Sequence, residues 1–135
     1  MGNEDSLDLA GALGAEPEAS SQVLSVYIPN KDRRGNVFDA APWIKEASEI
    51  LYRIGDGATI TPPHDGVTPD EAGAPQWEKT VIIYTYVTDA FRGELPRLRS
   101  FLHRFGRETN QREVGVELSG GGEGWFFRIK KFDDA

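Results

Sequence analysis

Apolar and polar residues alternate with period two in four stretches of the chain and recur with helical period in two others. The longest β-rich run is Glu78 to Val87, EKTVIIYTYV, where β-branched and aromatic residues occupy nearly every position. Such a run fits an inner strand better than a helix. Read with period two, Val81, Ile83, Thr85 and Val87 share one face, while Ile82, Tyr84 and Tyr86 share the other. Neither face is plainly solvated. The expectation is a central strand with helices against one side and an aromatic face left open on the other.

The remaining elements follow in order. Val23 to Ile28 alternates as a strand that Pro29 ends, and the polar segment Asn30 to Asn36 carries turn chemistry. A helix begins near Pro42, with Asp39 as a candidate cap. Trp43, Ile44, Ala47, Ile50, Leu51 and Ile54 form its apolar stripe, and Gly55 is its stop signal. Ala58 to Thr61 reads as a short strand closed by Pro62–Pro63, and His64 to Gln76 as a long loop rich in Pro, Gly and acids. Thr88 or Asp89 caps a second helix, expected from Glu94 to Arg107 with Pro96 in its first turn. Its buried stripe is Leu95, Leu98, Leu102 and Phe105, with Phe101 beside them. Glu113 to Leu118 and Trp125 to Phe132 flank the glycine turn SGGGEG as a hairpin. The predicted order is that of an α+β ferredoxin-like βαββαβ sandwich with an extra C-terminal strand, its two helices on one face of an antiparallel sheet of four or five strands.

Composition changes this picture only at the N-terminus. The chain has 135 residues, 39% apolar and 27% charged, ordinary for one soluble domain. Of its 22 acids, five lie in residues 1–21, where there is no base; the other 17 face 15 bases. The net charge of −7 therefore belongs mostly to this segment. Residues 1–21 read as a disordered acidic tail ahead of a single domain at 22–132, with LDLAGAL able to form a short amphipathic turn. No apolar run is long enough to span a bilayer, and no basic n-region suggests export, so a cytoplasmic protein with no membrane role is expected. The absence of cysteine removes disulfides, thiolate chemistry and cysteine-based zinc sites.

From Val23 onward the chain resembles small bacterial ferredoxin-like (α/β-plait) proteins of uncharacterised function. The resemblance rests on GATITPP before a loop, QW at its end, the E-x-x-V-I-I strand and FLHRFGRETNQREVGV. It implies the fold and carries over no catalytic role.

Candidate chemistry is confined to surfaces. Ile82, Tyr84 and Tyr86, joined by Tyr27, Glu117 and Arg128, would make an aromatic floor on the open sheet face, suited to a partner or a ligand. Arg97, Ser100, Arg104 and Arg107 make a helix stripe with few acids within i±4, able to meet phosphates, an acidic partner or the acidic tail. His64 has Asp65, Asp70 and Glu71 nearby, but no metal-ligand spacing joins them, so neither a metal nor a cofactor is expected. SGGGEG lacks the P-loop order, and no nucleophile motif is present. The leading expectation is a non-catalytic protein-interaction or regulatory module, with a protein partner or homodimer. The alternative is a small ligand-binding protein or enzyme, its pocket under the 64–76 loop and built from Tyr27, Tyr84, His103 and Glu117. A weak nucleic-acid contact through the arginine stripe is the third reading, disfavoured by the lack of a basic balance.

Overall fold

The computed structural model describes residues 8–16 and 22–133. The sheet is built on β1 (Val23–Pro29) and β4 (Pro75–Tyr86), which pair antiparallel from Val23↔Tyr86 to Pro29↔Thr80. On the far side of β1 lies β5 (Val114–Gly120), and outside it β6 (Glu123–Ile129). On the far side of β4 lie β2 (Thr59–Ile60) and β3 (His64–Pro69), giving the order β2–β4–β1–β5–β6 with β3 also on β4. All pairings are antiparallel. The architecture is α+β.

Alternation decides which sheet face is dry. Leu24, Val26 and Ile28 of β1, Val81, Ile83 and Thr85 of β4, and Val114 and Val116 of β5 are buried on one side. Helix α2 (Ala41–Gly55) brings Ala47, Ile50, Leu51 and Ile54 to this face, and α3 (Phe91–Glu108) brings Leu98, Phe101, Leu102 and Phe105. Their period of three to four residues matches the stripe that the sequence predicts. Trp43 closes the seam between the helices, its ring 5.3 Å from that of Phe105.

Several boundaries differ from expectation, each for a local reason. The segment from His64 to Gln76 is not a loop: β3 and the start of β4 form a hairpin arm, paired from His64↔Thr80 to Pro69↔Pro75. Asp70 makes its turn, its Oδ1 accepting from the N–H groups of Ala72 and Ala74 at 2.8 Å. β2 and β3 follow one edge of β4, and between Ile60↔Ile83 and His64↔Thr80 four residue steps oppose three. Pro62 and Pro63 fall in this bulge, where no ladder donor is missed. The sheet thus counts six strands.

Helix α3 starts at Phe91, so Pro96 lies more than a turn inside it. Leu95 is exposed, while His103 and Gly106 join the buried side. The N-caps are Ala40 and Ala90, neither helix having a side-chain cap bond; the candidate caps lie just upstream, where Asp39 Oδ1 accepts from the Ala41 N–H and Thr88 Oγ1 from the Ala90 N–H. Gly121 and Gly122, with φ of 64° and 83°, make the two-residue β5–β6 turn, a geometry that favours glycine at both positions. Within the acidic segment, Leu9–Leu13 forms a one-turn helix, α1, with Asp8 as N-cap and a left-handed Gly14 closing it. The disorder expected for residues 1–7 and 17–21 lies outside the described residues. No helix among the described residues is long and apolar enough to cross a membrane.

Candidate functional site

The uncovered sheet face carries Tyr27 of β1, Glu117 of β5, Phe126 and Arg128 of β6, and Gln76, Glu78 and Thr80 of β4. Strand parity and register place all of these on the side away from the helices. At the end of the sheet where β1 leaves and β5 begins, this face deepens into a cleft of about 500 Å³. The β3–β4 arm forms one wall through Gly66, Thr68 and Gln76; Gln111, Glu113 and Gly115 form the other, and the loop after β1 closes the end with Lys31 to Arg33.

That loop is fixed from three sides. Asp32 Oδ1 accepts from the N–H groups of Arg34 and Asn36 at 2.8 and 2.9 Å. Desolvation opposes ionisation of Asp32, but these hydrogen bonds prevail and hold its carboxyl below the ordinary value. Gln76 Nε2 donates to the Asp32 carbonyl at 3.0 Å, and Gln111 Nε2 to the Lys31 carbonyl at 3.1 Å. Lys31 Nζ donates to the Trp77 carbonyl at 2.7 Å.

Most charges beside the cleft are already paired. Tyr27 donates its phenolic O–H to Glu117 Oε1 at 2.7 Å, and burial together with this carboxylate pushes the phenol up to about 12. Glu113 Oε2 meets Arg128 Nε at 3.0 Å, and the Arg128 guanidinium lies 4.8 Å above the centre of the Phe126 ring. Phe126 in turn sets its edge against Tyr27 at 5.9 Å. The Phe126 ring lies directly over Gly115, where a Cβ would come within 2.5 Å of Cζ, so the aromatic floor needs glycine there. Arg112 and Glu78 are the exceptions: both line the cleft, and neither has an ion pair among the described residues. Burial is the largest influence on the Glu78 carboxyl and raises its pKa above the ordinary value, with Lys31 and the Gln76 amide pulling weakly the other way.

Only part of the constellation expected from sequence comes together. Tyr27 and Glu117 meet beside the cleft, with Arg128 across β6. Ile82 lies across from Tyr27, but Tyr84 and Tyr86 run away from the cleft along β4, stacked edge to face at 6.5 Å, with Tyr86 60% exposed. His103 does not approach them. It is buried on α3, and its Nδ1 accepts from the Asp133 N–H at 2.8 Å. The 64–76 segment borders the site as a strand wall rather than as a roof.

The arginine stripe is not left unpaired, which corrects the basis of the nucleic-acid reading. Arg97 pairs with Glu94 at 3.3 Å, Arg104 binds Glu46 of α2 through both its terminal nitrogens, and Arg107 donates to the Asp133 carbonyl. Arg104 also lies over the Trp43 and Phe101 rings. Glu46 is 58 residues from Arg104 in sequence, so i±4 counting could not find it, whereas Glu94 lies within that range of Arg97. No group of three or more metal-ligand side chains occurs among the described residues, His64 and its neighbouring acids included. Glu78 and Phe126 went unremarked in the sequence, although continuing the Ile82–Tyr84 parity back along the strand reaches Thr80, Glu78 and Gln76.

No family model and no curated protein matches the sequence. Two solved structures share the fold, both of a phage SAM lyase. Its complex with S-methyl-5′-thioadenosine matches 85% of this chain and 93% of its own, with a TM-score of 0.64 at 15% identity. The apo state matches 86% and 96%, with a TM-score of 0.59, also at 15% identity. This finding overturns the expectation of a non-catalytic interaction module. Both of these structures are of a lyase, and the uncovered face here ends in a cleft of ligand size.

Proposed function

We propose that this chain is a small enzyme that binds S-adenosylmethionine, or a closely related sulfonium nucleoside, in the cleft on the uncovered sheet face and cleaves it without water. The observation that carries this reading is the agreement over most of both chains with the phage SAM lyase, coupled to the cleft's chemistry. The strand order, with a helix after β1 and another after β4, also supports the split βαβ reading of the fold, with β6 added at the edge.

A sulfonium nucleoside asks a site for three things, and the cleft offers each. Its positive sulfur is favoured by a desolvated carboxylate, and Glu78 is a carboxylate of the cleft on which burial is the largest influence. Its adenine offers a flat face, which the Phe126–Tyr27 corner can meet. Its polar edges and hydroxyls can use Thr68, Thr80 and Gln111 on the walls.

The chemistry asks little of the protein. S-methyl-5′-thioadenosine is S-adenosylmethionine without its aminobutyrate chain. A lyase that leaves it breaks the sulfur–carbon bond to that chain, and the bonding pair returns to sulfur and neutralises it. The departing carbon completes its valence by capture of the substrate's own carboxylate or, after elimination, by loss of a neighbouring proton to a base. The protein's part is to hold the charged substrate in a reactive shape and to exclude water. Glu78 draws in the cation and loses its hold once the sulfur is neutral, which favours product release.

Incubating the protein with S-adenosylmethionine and following S-methyl-5′-thioadenosine by liquid chromatography tests the reading. The expected result is product formation above the spontaneous rate, reduced at least tenfold in Glu78→Gln. Absence of turnover, combined with no binding of either nucleoside at millimolar concentration, would overturn it.

A further inference from the structure

A second groove lies on the opposite side of the molecule, where the helix layer stops short of the sheet edge. β6 turns Trp125, Phe127 and Ile129 toward the helix side, yet Trp125 is 58% and Phe127 50% exposed because α3 covers only as far as β5 and Ile129. Between α3 and Ile129 runs a groove of about 560 Å³, walled by Leu95, Pro96, Leu98 and Leu102 and edged by Arg92 and Arg99. The side chain of Arg99 meets the Asp133 carboxylate; Arg92 has no ion pair among the described residues.

The chain also contains a helix without a packing partner among the described residues. α1 is a single turn with Leu9 56% and Leu13 69% exposed, and none of its residues is buried. A helix this short does not persist alone in water, because one turn never repays nucleation. Nevertheless it has an Asp8 side chain accepting from the Gly11 N–H at its start and a left-handed glycine at its end. Leu9 and Leu13 stand four residues apart, on one face.

We infer that α1 of this same chain docks into the α3–β6 groove, with Leu9 and Leu13 against Leu95, Leu98 and Ile129. Two independent features favour this occupant. The first 21 residues hold five acids and no base, and the groove's rim carries Arg92, which has no ion pair among the described residues, so the charges are complementary. The reach is also sufficient. The eight residues Ala15 to Gln22 span at most about 26–29 Å when extended, whereas Ile129 lies two strand spacings, about 10 Å, across from β1 and five residues, about 17 Å, along the sheet from the level of Val23, about 20 Å in all. Tethering makes the encounter intramolecular, with an effective concentration near the millimolar range.

The chain has no cysteine, so engineered pairs report cleanly. Leu9→Cys and Leu13→Cys would each be combined with Leu95→Cys, using full-length protein, and Leu13→Cys with Tyr52→Cys on α2 as the control; all these positions are exposed. Under mild oxidation the expected result is a disulfide within one chain for at least one Leu95 pair, with the control pair still reduced. Closure only between chains, equal closure of the control, or no closure would each overturn the proposal. Leu9→Asp with Leu13→Asp gives a second reading that does not depend on cross-linking. It should raise binding of a hydrophobic dye severalfold by opening the groove, and unchanged dye binding would count against α1 as its cover.

Discussion

Tyr27 shows how one hydrogen bond on the open face becomes measurable. Its phenol, pushed up to about 12 first by burial and then by Glu117, keeps its proton in the folded protein where an unfolded tyrosine would lose it. The folded pKa is the higher one, so the stabilisation is complete below the ordinary tyrosine value near 10 and is lost as pH rises through 12. Phenolate absorbance during an alkaline titration should resolve one late tyrosine. Glu117→Gln should bring it earlier without restoring the ordinary value, since burial persists; a titration unchanged by that substitution would remove Glu117 from the account. Gly115 offers a steric counterpart. A methyl group there meets the Phe126 ring at 2.5 Å and must displace it, taking the Arg128 contact with it. Gly115→Ala should therefore destabilise by about 1–3 kcal/mol, as overpacking typically does, although glycine ordinarily weakens a strand. Chemical denaturation decides, and a neutral or stabilising result would mean the floor is loosely built.

The secondary-structure elements themselves were largely legible, because burial enforces period. Val81, Ile83 and Thr85 had to point one way once the run was a strand, and Ala47, Ile50, Leu51 and Ile54 had to share a helix face. What the pattern could not resolve was the polar hairpin arm: β3 has no buried residue, so its strand character comes from backbone pairing to β4 and not from hydrophobic alternation. Nor could local spacing reveal the links between elements. Arg104 seemed free within its own helix, yet it binds Glu46 across the α2–α3 seam and covers Trp43 and Phe101. Its charge-assisted bonds hold the guanidinium above its ordinary value, with the Glu46 hydrogen bond the largest cause. Arg104→Ala should cost about 1–2 kcal/mol through lost packing and the ion pair together. Arg97→Ala removes only an exposed pair along one helix and should stay within about 0.5 kcal/mol. Thermal unfolding of the two variants separates the seam from the surface, and equal effects would deny the seam its special role.

At the scale of the molecule, the helices dry one sheet face and leave the other to end in a cleft, so the core and the cleft occupy opposite sides of one sheet. The sequence showed that an aromatic face would be open. It could not show that the cleft lies at Tyr27 and Glu78 instead of Tyr84 and Tyr86, because that depends on the β3–β4 arm extending past the end of β1. Glu78 lines the cleft and is partly buried. Burial raises its folded pKa, so its contribution to the stability of the ligand-free protein is present at acidic pH and is lost as pH rises through that raised value. A cationic ligand reverses the preference, because only the ionised carboxylate attracts it. Across the same pH window, then, S-adenosylmethionine should stabilise the protein more as pH rises, approaching about 2.7 kcal/mol at a hundredfold excess over Kd. S-methyl-5′-thioadenosine, whose sulfur is neutral, should give a shift that does not change with pH. Thermal-shift titrations of both ligands in a series of buffers provide the measurement, and Glu78→Gln should abolish the difference in slope. Parallel pH profiles for the two nucleosides would mean that Glu78 does not sense the sulfonium charge, even if both bind.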